Sequence, residues 1–327
     1  MEERDTEAVF VETSARLHFG VLDLRGARGR WFGGIGASAS TPTLLVSASP
    51  SPTLIVEGDD ADRAEEYARQ FLTYYQIQDG GLVRVHRSLP RHAGLGSGTQ
   101  LALAVARALA EVHGITADAR DLARAVGRAR RSAIGTWTFA GGGLVVEGGR
   151  RPDRDVCGPL LARLPIPLTW RCVVAVPEGK PGISGADEAD AFARLPAPSE
   201  SEVERVAHLV LMSLLPAVAD VDLAAFGRAL TEIQETTGRW FAPEQGGTFA
   251  PGQSGELVRQ MREWGASGVG QSSWGPAVYG IVEGEDAALR LTDHVRQLLG
   301  VRGSVYEGPF RVDGARVWRG SRREVRT

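Results

Sequence analysis

The stretch Pro90-Arg-His-Ala-Gly-Leu-Gly-Ser-Gly-Thr-Gln100 decides how the rest of the chain is interpreted. A half-buried strand is predicted before it at 82–86, and the alanine- and leucine-rich run after it predicts a helix that Gly114 ends. Small residues at such a turn let the backbone approach an anion, and the first helical turn offers unpaired N–H donors. The stretch is neither a Walker loop nor the GxGxxG of dinucleotide-binding folds. It predicts a phosphate site, and the alternative is a plain glycine-rich turn with Ser97 as the N-cap.

The segments around this stretch predict an α+β fold in two domains. The first half is predicted to hold strands at 8–11, 43–47, 53–57 and 143–147 and helices at 61–76 and 118–131, the second helix capped by Thr116 or Asp118. The second half is predicted to hold strands at 171–176, 277–282 and 303–307 and helices at 200–215, 222–236, 254–264 and 286–299. The Pro- and Arg-rich segment 150–169 predicts the boundary, which divides the chain into 1–165 and 166–327, with a frayed tail from about 314.

Composition excludes several classes of protein. The net charge of −3 over 327 residues argues against a basic nucleic-acid-binding surface, and no apolar run is long enough to span a membrane. Cys157 and Cys172 are too few for a disulfide scaffold and are not spaced for zinc. The acidic start lacks an apolar core, so no signal peptide is expected and the predicted location is a reducing cytoplasm. Lys180 is the only lysine, so a phosphate site must use arginine, backbone N–H groups or that one ammonium.

Four separated motifs carry a resemblance to a known family. The GLGS stretch with its alanine-rich helix resembles the second motif of the GHMP kinase superfamily, which cradles nucleotide phosphates, and Gly268-Val-Gly-Gln-Ser-Ser-Trp-Gly-Pro276 resembles the third. With Arg16-Leu-His-Phe-Gly20 and Ser132-Ala-Ile-Gly-Thr136, they resemble the β-ribofuranosylaminobenzene 5′-phosphate synthases of methanopterin biosynthesis. The resemblance runs from about residue 13 to 310. It extends to the related C-nucleotide synthases of formycin- and pyrazofurin-type antibiotic pathways.

The resemblance implies a GHMP-kinase-like fold, with a ribosomal S5 domain-2-like N-terminal half and a ferredoxin-like C-terminal half. It implies a glycosyltransferase that uses Mg²⁺, forms a homodimer, and acts on phosphoribosyl diphosphate (PRPP) and an aromatic carboxylic acid. The ring carbon bearing the carboxylate attacks ribose C1, diphosphate and CO₂ leave, and a C–C glycosidic bond remains. The acid is 4-aminobenzoate or 4-hydroxybenzoate in one branch and an amino-pyrazole dicarboxylate in the other. The sequence leaves this choice open.

One departure from the kinase pattern supports this reaction. GHMP kinases commonly place an aspartate after the second helix to handle the proton of the attacking hydroxyl, whereas this chain has Ile134-Gly-Thr-Trp-Thr-Phe139 there. Decarboxylative C-glycosylation has no nucleophile O–H to deprotonate, because loss of CO₂ restores aromaticity. The absence of a carboxylate at this position therefore favours the synthase reaction over phosphoryl transfer.

The candidate residues for PRPP and for the reacting atoms come from four regions. The predicted PRPP-binding set is His92, Gly94, Leu95, Gly96, Ser97, Gly98, Thr99, Gln100 and Lys180. The predicted catalytic set is Arg16, His18, Asp23, Thr136 and Glu188. Arg16 and His18 lie two apart on a predicted strand and so share one face, where the arginine fork suits a phosphate or a carboxylate. The alternatives are a structural histidine and a solvent-exposed Lys180.

Two more sets concern the metal and the aromatic acid. Asp23 and Glu188 are the predicted Mg²⁺ ligands, because Mg²⁺ on a diphosphate usually takes one or two protein carboxylates; an acidic first helical turn is the alternative for Glu188. The predicted aromatic-substrate set is Trp137, Gln271, Ser272, Ser273 and Trp274. The two tryptophans are candidates for a lid that keeps water from PRPP, with core packing as the alternative.

Three other functions compete with this interpretation. An ATP-dependent small-molecule kinase fits the phosphate loop but lacks the aspartate. A non-catalytic GHMP-like metabolite sensor would usually have a degraded phosphate loop, whereas 94–100 is intact. A type I phosphoribosyltransferase would carry an Asp-Asp motif after an apolar strand, but Asp59-Asp60 lies in a polar linker.

Overall fold

The computed structural model describes residues 7–153, 157–183 and 185–321. The strands are β1 (Glu7–Asp23), β2 (Phe32–Ser49), β3 (Leu54–Gly58), β4 (Gly81–Arg87), β5 (Leu144–Glu147), β6 (Leu160–Leu164), β7 (Trp170–Pro177), β8 (Gly268–Gln271), β9 (Val278–Glu283), β10 (Gly303–Pro309) and β11 (Arg316–Ser321). The helices are α1 (Ala61–Tyr74), α2 (Ser97–His113), α3 (Ala119–Ala125), α4 (Ile134–Gly141), α5 (Gly185–Arg194), α6 (Glu200–Leu209), α7 (Leu215–Ala219), α8 (Leu223–Gln245), α9 (Gln253–Glu263) and α10 (Glu285–Leu299). A π-helical turn, Val210–Leu214, joins α6 to α7.

Seven strands form the first sheet, in the order β11-β1-β2-β4-β3, with β5 and then β6 added beside β2. β1 and β2 are far longer than the predicted segments 8–11 and 43–47, because they continue through bulges at Ser14/Arg16 and His18/Gly20 into the glycine-rich stretch between them. Bulges redirect side chains near functional sites, and these two flank the Arg16–His18 pair. β3 and β4 run parallel with α1 as their connection.

The helix α2 packs between this sheet and α1. Its residues from Leu101 to Ala106 are fully buried, as expected for an alanine-rich helix at the centre of a domain. Gly114 ends it in the left-handed conformation at φ 67°, as predicted. Asp118 caps α3 with a capping box, but α3 ends at Ala125 rather than 131, because the chain turns at Gly127 with φ 63°. The eight-residue α4 follows where no element was predicted.

The second sheet has the order β10-β7-β9-β8, and every pair in it is antiparallel. Numbered within this half, the order is 4-1-3-2 with helices between β7 and β8 and between β9 and β10, which is the ferredoxin-like arrangement. The prediction for the C-terminal half is therefore confirmed. No helix in the described part of the chain is both long and apolar enough to cross a bilayer.

The predicted frayed tail from about 314 is wrong for residues 316–321. Those residues form β11, which pairs antiparallel with β1 from Glu7↔Ser321 to Glu12↔Arg316, and Trp318 stacks on Phe10 with ring centroids 5.4 Å apart. Arg316 and Arg319 flank the apolar Val317 and Trp318, and charged side chains of this kind suit an edge strand. Residues 322–327 lie outside the described part of the chain.

The two sheets meet where the phosphate loop and β1 pass α8. The Gln234 amide nitrogen donates to the Phe19 carbonyl, and the Phe19 ring packs on Tyr279 with centroids 5.1 Å apart. A Cβ on Gly20 would lie 2.9 Å from the Ile233 side chain, so the close approach of α8 needs glycine there. This junction holds Arg16 and His18 next to the late glycine-rich segment.

Candidate active site

The glycine-rich stretch forms a loop that opens α2, and a second loop holds it from behind. A Cβ on Gly94 would lie 2.1 Å from the Ser272 carbonyl oxygen, so the two loops meet backbone to backbone. The Ser272 hydroxyl donates to the Gly94 carbonyl at 2.7 Å and accepts from the His18 amide at 2.9 Å. The third motif therefore supports the phosphate loop, and the hydroxyl of the buried Ser272 is used in these two hydrogen bonds.

The N-terminus of α2 has no side-chain cap. Its N-cap is Gly96 at φ 79°, not Ser97, which is the first helical residue. The alternative of a serine-capped turn is therefore wrong. The first turn contains no acidic residue, so the N–H groups of Ser97 and Gly98 are available to an anion at the positive end of the helix.

A cleft of about 330 Å³ lies in front of this helix end. Its walls are α1, the phosphate loop, the turn after α3, the late loop, and Gly182, Ile183, Gly185 and Glu188. The charged residues lining it are Arg16, Arg63, Arg128, Arg131 and Glu188. Four guanidinium groups against one carboxylate make the cleft strongly positive, as a site for a polyanion requires. Of the residues predicted to bind PRPP, His92, Gly94, Gly96, Ser97, Gly98 and Thr99 line it.

Arg16 lies beneath the loop. Its amide donates to the Leu95 carbonyl at 3.1 Å, and its guanidinium donates to the Gly94 carbonyl. A Cβ on Gly96 would lie 2.9 Å from the Arg16 side chain, so that glycine leaves room for the arginine. Burial lowers the Arg16 pKa to about 10, partly offset by the charge of Glu188, so the group stays cationic at neutral pH.

Arg63 and Arg128 occupy the other side of the helix end and were missed at the sequence level. A Cβ on Gly98 would lie 2.9 Å from Arg63 Nη2 and 3.2 Å from Arg128 Nη2. Arg128 donates to the Tyr67 hydroxyl, and its guanidinium lies over that ring at 4.8 Å from the centroid. Nothing in the local sequence distinguishes them from other arginines; only the tertiary packing of α1 and of the turn after α3 against Gly98 brings them to the cleft.

Glu188 lies on α5 at the mouth of the cleft, with both oxygens engaged. One oxygen accepts from Arg131 Nη2 at 2.5 Å, and the other accepts from Trp274 Nε1 at 3.1 Å. The predicted acidic helical turn is present, because Asp187 and Glu188 open α5. This acidic turn also lines the cleft, because α5 places Glu188 against Arg131 and Trp274, which belong to two other segments.

The cleft opens into a chamber of about 70 Å³ with aromatic walls. Trp274 packs edge-on against Phe241 and Phe192, with centroids 4.7 and 5.5 Å apart, and Phe192 packs edge-on against Phe32 at 5.2 Å. Arg16, Arg131, Glu188, Ser273 and Trp274 line both cavities. A flat ring in the chamber would therefore meet a phosphorylated ligand in the cleft at a shared mouth.

The polar wall of the chamber carries His18 and Ser132, whose Nε2 and Oγ atoms are 3.4 Å apart. Burial, and then the charge of Arg16, lowers the His18 pKa to about 3, so the imidazole is neutral across the physiological range. Behind this wall the fully buried Glu147 accepts from the Gly149 amide at 2.7 Å and the Ala133 amide at 3.4 Å. Burial raises the Glu147 pKa to about 7 despite these bonds.

Several residues predicted for the site lie elsewhere. Gln100 is fully buried under the loop, where its amide accepts from the Thr13 hydroxyl and donates to the Gly135 carbonyl. Leu95 packs in the core and contributes only its backbone. Thr136 is fully buried in α4, with no hydrogen-bond partner for its hydroxyl among the described residues.

The tryptophan and lysine predictions also need correction. Trp137 points away from the cleft, where its indole donates to the Gly158 carbonyl at 2.8 Å and Arg120 lies over its ring. Lys180 is exposed and lines a neighbouring groove with Glu178 and Arg302, not the phosphate cleft. Trp274 is the one predicted lid tryptophan that the fold brings to the mouth.

Gln271 supports the site from behind rather than facing the mouth. Its side chain accepts from the Ala250 amide at 2.6 Å and donates to the Ser273 carbonyl at 2.9 Å and to Gln245 at 3.1 Å. These bonds hold Ser273 at φ 56°, where it lines the mouth. Of the late motif, Ser273 and Trp274 reach the cleft and the chamber.

A magnesium ion fits this site only as the companion of a bound diphosphate. Asp23 does not line either cavity, because one of its oxygens caps the following turn by accepting from the Arg25 and Gly26 amides. Within residues the structure describes, no three His, Cys, Asp or Glu side chains group as metal ligands. Glu188 with the Ser97 and Thr99 hydroxyls is the available donor set, and Mg²⁺ commonly takes few protein ligands beside substrate phosphates.

The fold and the phosphate loop define a GHMP-type protein, and comparison with known proteins gives the same class. The family model for the GHMP kinases N terminal domain matches residues 62–142, and the model for the GHMP kinases C terminal matches 214–300. The crystal structure of homoserine kinase from Cytophaga hutchinsonii superposes with a TM-score of 0.68 over 97% of this chain and 99% of that one, at 16% identity.

Two curated relatives narrow the class. The β-ribofuranosylphenol 5′-phosphate synthase of Methanothermobacter thermautotrophicus is 34% identical, over 84% of this chain and 89% of the relative. The protein of the same name from Archaeoglobus fulgidus is 36% identical, over 84% of this chain and 87% of the relative. The chain therefore belongs to the β-ribofuranosylphenol 5′-phosphate synthase family, and the resemblance drawn from its motifs is confirmed.

Proposed function

We propose that this chain is a phosphoribosyltransferase that joins PRPP to an aromatic carboxylic acid through a C–C bond, with release of diphosphate and CO₂. One observation carries the proposal: a cleft with four arginines opens directly into an aromatic chamber, and the two share Arg16, Arg131 and Trp274. A polyanionic sugar and a flat arene would meet there at the mouth. The names of the curated relatives agree with a product that joins a ribose phosphate to a benzene ring.

The cleft would act by stabilising charge on the leaving diphosphate. As the C1–O bond breaks, negative charge grows on the diphosphate and ribose C1 becomes cation-like. The Ser97 and Gly98 amides and the buried Arg16 are fixed in place before this charge develops, which is the arrangement that lowers a barrier most in a water-poor site. Arg16 needs no reorganisation, because its contacts to the loop carbonyls already hold it.

The chamber would hold the arene with its carboxylate toward the mouth. Arg131 lies there, and its ion pair with Glu188 shows that its guanidinium can donate hydrogen bonds to a carboxylate at this position. The ring carbon bearing the carboxylate donates an electron pair to C1 as the C1–O bond breaks, and the electron pair of the bond between the ring and its carboxylate returns to the ring as CO₂ leaves. No proton moves in this sequence. The neutral His18 is suited to accept a hydrogen bond from a ring hydroxyl or amine, which increases electron donation to the attacking carbon.

Kinase chemistry fits these residues less well. Phosphoryl transfer to a hydroxyl needs a residue that handles the hydroxyl proton. Glu188 is the one carboxylate lining the cleft among the described residues, and it is bonded to Arg131 and Trp274. At the position after α2 where a kinase aspartate is expected, the chain presents the buried Thr136.

The proposal also covers the metal ion, the oligomeric state, the location in the cell and the acceptor acid. We propose that Mg²⁺ accompanies the diphosphate, held by Glu188 and the loop hydroxyls and supplying charge neutralisation when bound. A homodimer in the cytoplasm is proposed with it, in line with two free cysteines, Cys157 and Cys172. The acceptor is 4-hydroxybenzoate or 4-aminobenzoate, with an amino-pyrazole dicarboxylate of an antibiotic pathway as the alternative.

The decisive experiment is a product-release assay. Purified protein with PRPP and Mg²⁺ is offered benzoates and pyrazole acids in turn, while diphosphate and CO₂ are measured together and ATP replaces PRPP as the control. Equal release of both products with one acid is expected. Diphosphate without CO₂ contradicts the decarboxylative step, and ATP consumption with a hydroxyl acceptor favours a kinase.

A further inference from the structure

A small polar cavity, here called the side pocket, adjoins the aromatic chamber. It has a volume of about 30 Å³, and it shares His18, Phe241 and Ser273 with the chamber. The rest of its lining comes from β1, α8, the loop after α8 and β8, and consists of Gly20, Gln234, Thr237, Gly238, Gln245, Thr248, Phe249 and Gln271. A ligand in the chamber could therefore extend a small group into this pocket.

The side pocket is polar but carries no charge. No Asp, Glu, Lys or Arg of the described residues lines it, whereas four arginines line the cleft. Its one titratable group is His18, which is neutral because burial and the charge of Arg16 lower its pKa to about 3. An anion placed there would lose its hydration without gaining a compensating charge. The pocket therefore suits an uncharged polar group.

Most of the fixed hydrogen-bond donors around the side pocket are already used. Gln245 Nε2 donates to two backbone carbonyls of the loop 247–248, at 2.7 and 2.8 Å. Gln271 Nε2 donates to Gln245 Oε1 at 3.1 Å and to the Ser273 carbonyl at 2.9 Å. The Thr237 hydroxyl donates to the carbonyl four residues before it, at 2.9 Å. Thr237 Oγ1 and Gln245 Oε1 keep lone pairs that can accept, so a ligand group in this pocket should donate.

The two other hydroxyls of the lining adapt to either role. Thr248 and Ser273 can each donate or accept, because a hydroxyl rotates to suit its partner. They add hydrogen-bonding capacity without a fixed preference. The preference for a donor is therefore set by Thr237 and Gln245, whose protons are held by backbone carbonyls.

Size and position connect the side pocket to the arene. A volume of about 30 Å³ admits a group of roughly one or two water molecules in size, which fits a hydroxyl or an amine and not a carboxylate. When the carboxylate of the arene faces Arg131 at the mouth, the para position lies on the opposite side of the ring. His18 and Phe241 line the chamber but not the cleft, so the side pocket adjoins the chamber on the side away from the mouth.

We propose that the side pocket receives the para substituent of the aromatic acid and selects an uncharged hydrogen-bond donor, a hydroxyl or an amine, with Thr237 as a specificity-determining residue. A second carboxylate on that side of the ring is excluded by its size and by the absence of a positive charge. This inference rests on the proposed function, because it takes an aromatic acid as the occupant of the chamber.

Binding measurements with a series of benzoates test the pocket without turnover. The acids 4-hydroxybenzoate, 4-aminobenzoate, 4-methylbenzoate and terephthalate are titrated by calorimetry, in the absence of PRPP, into the wild type, Thr237→Val and Thr236→Val. Valine keeps the shape of threonine and removes the oxygen. Thr236→Val is the matched control, because Thr236 is also buried on α8 but does not line the side pocket.

The wild type should bind the better of the hydroxy and amino acids at least tenfold more tightly than 4-methylbenzoate, which has the right size but cannot donate. Terephthalate should bind at least tenfold more weakly than 4-methylbenzoate. In Thr237→Val the preference for the donor should shrink at least threefold, while the Kd for 4-methylbenzoate changes less than twofold. Thr236→Val should keep the preference of the wild type.

Three results would overturn the inference. They are a wild type that binds 4-methylbenzoate as tightly as the donor acids, tight binding of terephthalate, and a preference that survives in Thr237→Val; the pocket would then hold water only. Equal weakening of all four acids in Thr237→Val would also overturn it, because the threonine would then have a structural role alone. The two proposals fail separately. A wild type that shows the preference but releases neither diphosphate nor CO₂ from PRPP refutes the synthase reaction alone, whereas an active synthase whose Kd values ignore the para substituent refutes the pocket alone.

Discussion

The phosphate cleft and the aromatic chamber share a mouth but handle charge in opposite ways. The cleft keeps its groups ionised: Arg16 stays cationic although buried, and Arg63, Arg128 and Arg131 surround an uncapped helix end. Away from the shared mouth, the residues that line the chamber alone carry no charge: burial leaves His18 neutral, and burial raises the pKa of Glu147 behind this wall to about 7. A polyanion is held by fixed charge and an arene by packing, so substitutions on the two sides should alter different kinetic constants.

The largest effect is expected at Gly96. In Gly96→Val the side chain would need φ near 79° and would clash with Arg16, so the loop and the arginine cannot both keep their places. We expect kcat/KM for PRPP to fall by at least ~10³-fold, comparable to losing a preorganised anion donor. Steady-state measurement of diphosphate release gives this change in kcat/KM.

Gly114→Val is the matched control for Gly96→Val. Gly114 has φ 67° at the opposite end of the same helix, with nothing within 4 Å of its added Cβ. This variant should lose some stability and keep its affinity for PRPP. Equal activity of the two variants would show that the loop does not bind the sugar phosphate.

The next largest effect is expected in stability, and it tests the buried Glu147 carboxyl behind the wall of the chamber. Burial raises the pKa of the Glu147 carboxyl to about 7 in the folded protein, whereas its ordinary value of 4.5 holds in the unfolded chain. Its contribution to stability is therefore full below pH 4.5 and falls as the pH rises through 7, by on the order of 3 kcal/mol. In Glu147→Gln this pH dependence should be absent.

Urea unfolding of the wild type and Glu147→Gln at pH 5 and pH 8 checks this. On going from pH 5 to pH 8, the free energy of unfolding of Glu147→Gln should rise relative to that of the wild type. Glu65→Gln, at an exposed carboxylate on α1 that pairs with Arg69, serves as control and should show little such change. A constant difference between wild type and Glu147→Gln at both pH values contradicts the buried carboxyl as its source.

A more selective effect is expected in the chamber wall. Phe241→Ala removes an edge-on partner of both Trp274 and Phe192. Loss of an aromatic contact of this kind corresponds to about 1.5–3 kcal/mol, or roughly 10- to 100-fold. We expect that increase in KM for the aromatic acid, with the Kd for PRPP nearly unchanged.

Trp264→Ala controls for loss of a ring, because Trp264 packs on His294 in the C-terminal domain rather than in the chamber. Steady-state kinetics with the acid varied at saturating PRPP separate the two variants. If Phe241→Ala weakens PRPP instead of the acid, the division between cleft and chamber is incorrect.

The smallest effect is expected at Lys180. Its ammonium is exposed and lines a groove beside the cleft. Lys180→Met should change kcat/KM for PRPP less than twofold, because no contact on the described residues directs the side chain to the phosphate loop. A tenfold loss in the same assay would extend the cleft's positive surface to this segment.

The two glycine-rich segments show how far the sequence leads. The first could be recognised because a strand, a run of small residues and an alanine-rich helix follow each other locally, and it lines the cleft as predicted. The second was recognised as a motif, but its polar side chains were assigned to substrate. Gln271 and Ser272 instead bond to backbone from distant segments, and such partners leave no local pattern.

Arg63, Arg128, Phe192 and Phe241 were missed for the same reason. Arg63, Phe192 and Phe241 lie on helices and Arg128 in the turn after α3, where their residue types are ordinary, and only tertiary packing brings them to the cleft or the chamber. Trp137 shows the opposite error, because a difference of one or two positions within α4 decides which face a side chain occupies. Secondary structure was predicted best where caps mark the ends, as at Gly114 and Asp118.

The pairing of β11 with β1 affects how the chain can be made and divided. β1 is among the first segments to leave the ribosome, but its outer neighbour is translated only after the whole ferredoxin-like domain. Until then the nascent first domain has an open sheet edge carrying Phe10, a known hazard for association between chains. A fragment cut at residue 165 would keep that edge permanently, so the phosphate-binding half should be obtained intact only as part of the longer polypeptide.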